Sequence, residues 1–411
     1  MQKYHLPDPL SNDVFRKPSA APLCGVVEGT KGVLGKQHEI TVPPPLDKDA
    51  IYRRLERFEL QYLAAEILEP FKTKDKDGNS QPPRVCKCLR TPRQRNVEIW
   101  KSAKHGRHYY GGLVLCGSVW DCLPCAAKIS EFRGNEIKQA VEACQDRGGS
   151  VVMLTQTFPH YENQKCKPLF DKFSKARQTM KNRKPWRNLV TALGMIGNIN
   201  RTEVTYGKNG WHIHCHTLLF FDHLVNLSPG AIFPMWESAC VASGLPSPSK
   251  AHGVKISSPK EMADYIAKQG KETSNWTLEA EMTKGHTKRG GMEGMTPFDL
   301  LRSYRDTKND THKRLFAEYS KTFKGKRQLV WSKGLRGLLL LAPEITDDEI
   351  VEQHDELDEL FVMIETAKLW PTIRKLKMRG QLLEAANLGE EKFTTFLRYL
   401  QTLGGYVELP F

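Results

Sequence analysis

The chain has 411 residues, with 61 lysines and arginines against 47 acidic residues, a formal net charge of +14 and a pI near 9.2. That length supports two or three hydrophobic cores, and the basic excess points to a polyanionic partner such as nucleic acid. No stretch approaches the apolar length of a membrane span, and Met1 to Pro7 lack the apolar core of an export signal, so the expectation is a cytoplasmic protein with reduced cysteines and no membrane partner.

Residues 1–50 are rich in proline, glycine and charge and close on Pro43-Pro44-Pro45, the composition of a disordered or loosely attached arm. Residues 51–83 read as a helix and a linker. Apolar residues recur at helical spacing from Ile51 to Phe71, and a polar, turn-rich link follows to Pro83. Residues 84–149 form a cysteine-rich module with Cys86, Cys88, Cys116, Cys122 and Cys125, the last two spaced Cys-x-x-Cys. Such a cluster is the donor set of a structural Zn2+, which takes four tetrahedral ligands, so either Cys86 or Cys88 completes it and the other is spare. Reduced, half-buried thiols are the alternative. A helix from about Ala126 to Gln145, stopped by Gly148-Gly149, ends the module.

Residues 150–290 carry the densest chemistry. Val151 to Phe158 is an apolar strand that includes Thr155 and Thr157, candidate DNA-binding residues. In the basic segment that follows, Lys181, Arg183, Lys184 and Arg187 are interleaved with Phe170, Phe173 and Trp186, as suits a helix that tracks DNA phosphates while packing on a sheet. Two strands then form a hairpin with Gly207-Lys208-Asn209-Gly210 as its turn. On the second strand His212, His214 and His216 alternate with Ile213 and Cys215. Alternate residues of a strand share a face, and imidazoles so placed can grip a divalent ion while leaving positions open for substrate. Histidines on a solvated face are the alternative, which accounts less well for three in alternation. Glu203, on the preceding strand, is a further candidate ligand.

Ser257-Ser258-Pro259 suits the opening of a helix, on which Glu261, Tyr265 and Lys268 fall three or four apart and share one stripe. A phenol, with a pKa near 10, becomes a nucleophile when a cation favours its phenolate. A basic loop follows with Lys288 and Arg289, candidate DNA-binding residues, then a basic DNA-binding extension over 291–342. The capping-box pair Thr346 and Glu349 opens a helical C-terminal region, 343–411. The fold class is α+β: a central antiparallel sheet with the Val151 strand beside the histidine strand, and helices covering one face.

Three of these features, in this order, resemble the HUH endonucleases: the strand with Leu154-Thr155-Gln156-Thr157, the strand His212-Ile213-His214-Cys215-His216, and the helix with Tyr265-Ile266-Ala267-Lys268. The likeness is to rolling-circle replication initiators of plasmids and phages, of the single-tyrosine type with an upstream cysteine module, and it runs from about Val85 to Leu341. It implies a metal-dependent nickase and strand transferase acting on origin DNA, whose intermediate is a 5′-phosphotyrosine with a free 3′-hydroxyl primer. Tyr265 is then the nucleophile and Lys268 orients the phosphate or stabilises the phenolate. Glu261, one turn earlier, is the general base of a terminating hydrolysis. His214 and His216 are the metal pair for Mg2+ or Mn2+, with His212 or Glu203 as third ligand; His212 could instead bond a phosphate. A host superfamily 1 helicase is the implied partner. The C-terminal region is a candidate for double-stranded origin binding or for dimerisation. Mobilisation relaxases and transposases share the chemistry. From a different class, a zinc-dependent DNA-binding regulator would bind DNA without forming a covalent product.

Overall fold

A computed structural model of the chain describes residues 48–257 and 294–403, Lys368 excepted. The first helix, α1 (Lys48–Leu68), turns Leu60, Ala64, Ile67 and Leu68 into the core. It stops short of the expected Phe71 because Pro70 disfavours a helical residue before it and has no amide to donate. Two short strands, β1 (Thr73–Lys74) and β2 (Ser80–Gln81), close the linker as a hairpin. The cysteine module supplies the antiparallel pair β3 (Asn96–Lys101) and β4 (His108–Gly111), then helix α2 (Leu123–Gln145).

The central sheet is antiparallel throughout. Its strands are β5 (Ser150–Gln156), β6 (Met195–Gly207), β7 (Gly210–Phe221), β8 (Val254–Ser257), β9 (Gly294–Met295) and β10 (Leu329–Trp331), ordered β10-β6-β7-β5-β8 with β9 on the end of β6. The β6–β7 hairpin closes where Gly207 pairs with Gly210, and β5 runs beside the histidine strand β7 as the sequence predicts.

Helices cover both faces of this sheet, not one. Trp211, Ile213, Cys215, Leu219 and Phe221 of β7 join the core that includes α3 (Cys166–Asn182) and α5 (Pro229–Ala242). Between these two helices in sequence lies α4 (Lys184–Ala192), whose Trp186 is buried. On the opposite face Leu218 and Phe220 pack with Val151, Met153 and Ile199 against Ile137, Ala140, Val141 and Cys144 of α2. The central strands are apolar on both sides, and each fully buried aliphatic side chain contributes roughly 1.5–3 kcal/mol, so neither face can be left to water.

Downstream helices Pro297–Thr307 and Asp310–Phe323 bury Phe298, Leu301, Phe316 and Phe323. The predicted capping box at Thr346 and Glu349 forms. The C-terminal region contains the expected helices, among them Arg379–Asn387 and Glu390–Thr402, and also a strand, β11 (Glu359–Glu365), which pairs with β3 to complete a three-stranded sheet. No helix among the described residues is long and apolar enough to cross a membrane.

Candidate functional site

Register across the central sheet builds the site row by row. Met153, Leu218 and Ile199 stand side by side on β5, β7 and β6 and form the last apolar row beneath α2. The next row on that face is Thr155, His216 and Arg201; His214 beside Glu203 follows, then His212 beside Thr205. Strand alternation thus changes one sheet face from hydrocarbon to metal-ligating chemistry within a single step.

Glu203 Oε2 lies 3.5 Å from His216 Nε2 and 3.7 Å from His214 Nε2. One donor atom from each of these three side chains falls within 4.8 Å of the others. The separations are long for hydrogen bonds and suit a cation about 2.1 Å from each donor. Thr155 Oγ1 sits 3.0 Å from His216 Nδ1. When that oxygen accepts from Nδ1–H, Nε2 keeps the lone pair a metal requires. Burial by itself pushes the Glu203 carboxyl up, but the buried Arg201 guanidinium, 3.3 Å away, and the two imidazoles outweigh it and hold the group well below the usual carboxylate range. The set therefore presents an anionic oxygen and two imidazoles.

His212 stands beside this set rather than in it. It stacks on His214 (centroids 4.8 Å apart) and, on its other side, on His160 (4.8 Å, planes 11° apart). Burial, with His214 and His160 adding to it, pushes His212 down to about 3, and burial also lowers His160. Of the two candidates for third ligand, the geometry brings Glu203 to the histidine pair. Sequence reasoning missed Arg201, which alternation from Glu203 would have placed on this face. It also missed Lys255 on β8, exposed beside Thr155. His160 carries no local signal, because a loop brings it across space to the strand.

A second group lies in the cysteine module. Cys88, Cys116, Cys122 and Cys125 are buried. Cys88 Sγ is 3.6 Å from Cys122 Sγ and 3.5 Å from Cys125 Sγ, and Cys116 Sγ is 3.7 Å from Cys125 Sγ. A tetrahedral zinc with bonds of about 2.3 Å spaces its sulfurs about 3.8 Å apart, so these thiols fit that ion. Cys122 occupies the N-cap position of α2 and Cys125 lies in its first turn, near the positive end of the helix dipole. Cys86 is the spare. Its Sγ points to the Ala65 carbonyl at 3.4 Å, and burial pushes the thiol up to about 11.

The basic segment does not present a single phosphate track. Arg177 and Lys181 on α3 turn inward and both reach Asn200 Oδ1, at 2.6 and 3.1 Å. Burial lowers the Lys181 ammonium to about 8. The reason is spacing: Phe173, Arg177 and Lys181 are four apart and share the sheet-facing side of the helix. Arg183 donates to Ser238 Oγ at 2.8 Å. Lys184 and Arg187, on α4, are exposed. Thr157 lies just past β5, its amide bonded to the Gly253 carbonyl and its own carbonyl accepting from Trp236. Glu261, Tyr265, Lys268, Lys288 and Arg289 lie outside the described residues.

The chain is similar to a protein named Protein rep of Streptomyces lividans, 27% identical over 297 residues, which cover 56% of this chain and 64% of that protein. It is also similar to a neomycin resistance protein of Streptomyces cyanogenus, 29% identical over 133 residues, which cover 26% of this chain and 30% of that one. The matched part is thus less than two thirds of either relative's length, and over the longer span the chain is Rep-like. No protein-family model matches the chain, and no solved structure matches it.

Proposed function

We propose that this chain is a rolling-circle replication initiator that nicks one strand of origin DNA. The observation that carries the reading is the Glu203, His214 and His216 set on an antiparallel sheet of a Rep-like chain. Mg2+ or Mn2+ is the ion the resemblance implies; the carboxylate suits either, while the two imidazoles would also accept other transition metals. When bound, such an ion supplies Lewis-acid polarisation of a phosphate oxygen. Arg201 keeps Glu203 ionised and Thr155 orients His216, so the chain's own residues prepare the donors before any DNA arrives.

The nucleophile in this reading is Tyr265, named from its sequence motif. Its phenolic oxygen bonds to phosphorus as the bond from phosphorus to the 3′-oxygen breaks. The phenol gives up its proton, the departing oxygen gains one, and the resulting 3′-hydroxyl primes synthesis. The downstream strand remains joined as a 5′-phosphotyrosine. Lys268 orients the phosphate, and Glu261 serves as base for the hydrolysis that ends a round. Lys184, Arg187 and Lys255 offer exposed cations for phosphates, whose neutralisation makes affinity fall with salt. The four-cysteine group holds a structural zinc that fixes the module beneath α2.

The test is a denaturing gel of the protein with labelled single-stranded segments tiled across its origin, in manganese. A protein-linked band carrying the downstream fragment is expected, absent in Tyr265→Phe and with chelator. Absence of any adduct across all segments, with DNA binding intact, would overturn the reading in favour of a DNA-binding regulator.

A further inference from the structure

The row of imidazoles ends at a cavity of about 380 Å³, walled by the loop after β5, the β6–β7 turn and the loop before β8. We propose that this cavity receives a nucleobase of the single strand whose phosphate lies at the Glu203, His214 and His216 set. The proposal rests on the nicking reading and adds a base-specificity site to it.

Position is the first argument. His160 lines the cavity and also ends the stack that runs through His212 to His214, so the cavity begins two imidazoles from a proposed metal ligand. A strand held by its phosphate at the ligands would carry a neighbouring base to this opening.

The walls are built rather than incidental. Gly210 has φ +81°, and a Cβ there would come within 2.7 Å of the Tyr161 carbonyl oxygen, so glycine lets the hairpin turn press against the loop. A Cβ on Gly253 would likewise meet Pro248 at 2.7 Å. The loop is pinned by the Tyr161 amide, which donates to Gln164 Oε1 at 2.8 Å, and by Trp236 Nε1, which donates to the Thr157 carbonyl at 2.7 Å. A site held this way needs little reorganisation on binding.

The chemistry selects the ligand. Half-buried Pro159 gives apolar surface, Tyr161 and His252 add exposed rings, and Asn209 offers an amide, while Phe158 and Pro248 are buried behind them. Tyr161 is 56% exposed, so its ring is open to solvent. Among the described residues no lysine, arginine, aspartate or glutamate lines the space, although the chain carries +14. Among the described residues a phosphate would find no lysine or arginine there. A flat heteroaromatic ring finds stacking surfaces and an amide for its edge, which is how extruded or single-stranded bases are held.

The experiment measures fluorescence anisotropy of short labelled single strands of dT, dC, dA or dG, and of an abasic strand of equal length, in chelator. Wild type should bind at least one base-bearing strand more tightly than the abasic one. Tyr161→Ala should weaken that strand roughly tenfold, the scale of one lost base–aromatic stack, and leave the abasic strand unchanged, while Tyr161→Phe retains wild-type discrimination. Equal binding of every strand by wild type and Tyr161→Ala overturns the cavity assignment, and an adduct formed in manganese by the same preparations then leaves nicking standing. Base discrimination lost with Tyr161 but no adduct with any tiled origin segment overturns nicking and leaves the base site standing.

Discussion

His216 has two ring nitrogens with different neighbours. Nδ1 lies 3.0 Å from Thr155 Oγ1, and Nε2 faces Glu203 at 3.5 Å. The first contact sets which nitrogen carries the proton and therefore whether the second can bind a metal. Thr155→Val keeps the branched shape a strand prefers and deletes only the oxygen. Its Mn2+ affinity should fall about 10–100-fold, the usual cost of losing such a partner, while Thr157→Val, two residues on, should match wild type. Calorimetric titration decides it, and an unchanged affinity in Thr155→Val would remove the threonine from this role. At this scale the sequence was legible where period two governs: the shared face of the histidines follows from alternation. It was not legible where a side chain's direction depends on packing. Lys181 reads as a surface cation, yet its helix turns it toward Asn200. His160 reaches His212 only because the loop after β5 folds back.

Cysteine spacing shows what an element adds to a motif. Cys86 and Cys88 are equally good fourth ligands on paper, being two residues apart. A short 3-10 turn over Arg84–Cys86 and a positive φ at Leu89 direct Cys88 inward and leave Cys86 against α1. Cys86→Ser should therefore retain one equivalent of zinc per chain, measured by metal analysis after dialysis, and Cys88→Ser should lose it. The reverse result would exchange the two assignments. β11 shows the opposite limit. Val362 and Ile364 alternate inward as a strand requires, but the acidic residues before them favoured reading a wholly helical tail. The pairing with β3 joins segments more than two hundred and fifty residues apart, and one-dimensional patterns carry no information about such a partner.

That long-range pairing makes the C-terminal region part of the cysteine module's support. Arg54 and Glu384 form a two-bond pair at 2.6 Å, and Asp347 meets Arg133 on α2 at 2.9 Å. The sharpest case is Arg379, which is fully buried. Its Nε lies 2.6 Å from the Tyr62 hydroxyl, and its Nη1 donates to the carbonyls of Cys88, at 3.3 Å, and Leu89, at 2.5 Å. Nη2 donates to Gln61 Oε1, and the guanidinium lies 4.0 Å from the Tyr62 ring centroid. None of these partners is a carboxylate, and burial lowers the arginine from its ordinary value. Taking an ion out of water costs several kcal/mol unless charge or dipoles compensate. Here carbonyl dipoles and a π face do so, and four thiolates around a doubly charged zinc would add net negative charge next to them. The arginine and the metal should then stabilise each other across chain segments nearly three hundred residues apart. Arg379→Met fills similar volume but strips the carbonyls of Cys88 and Leu89 of their donor. It should lower stability in thermal unfolding, by about 1–3 kcal/mol for each buried acceptor left unpaired, and speed zinc transfer to a chromophoric chelator, with Arg379→Lys recovering part of both. A variant as stable and as slow to release zinc as wild type would show that the C-terminal helices and the metal centre are merely neighbours.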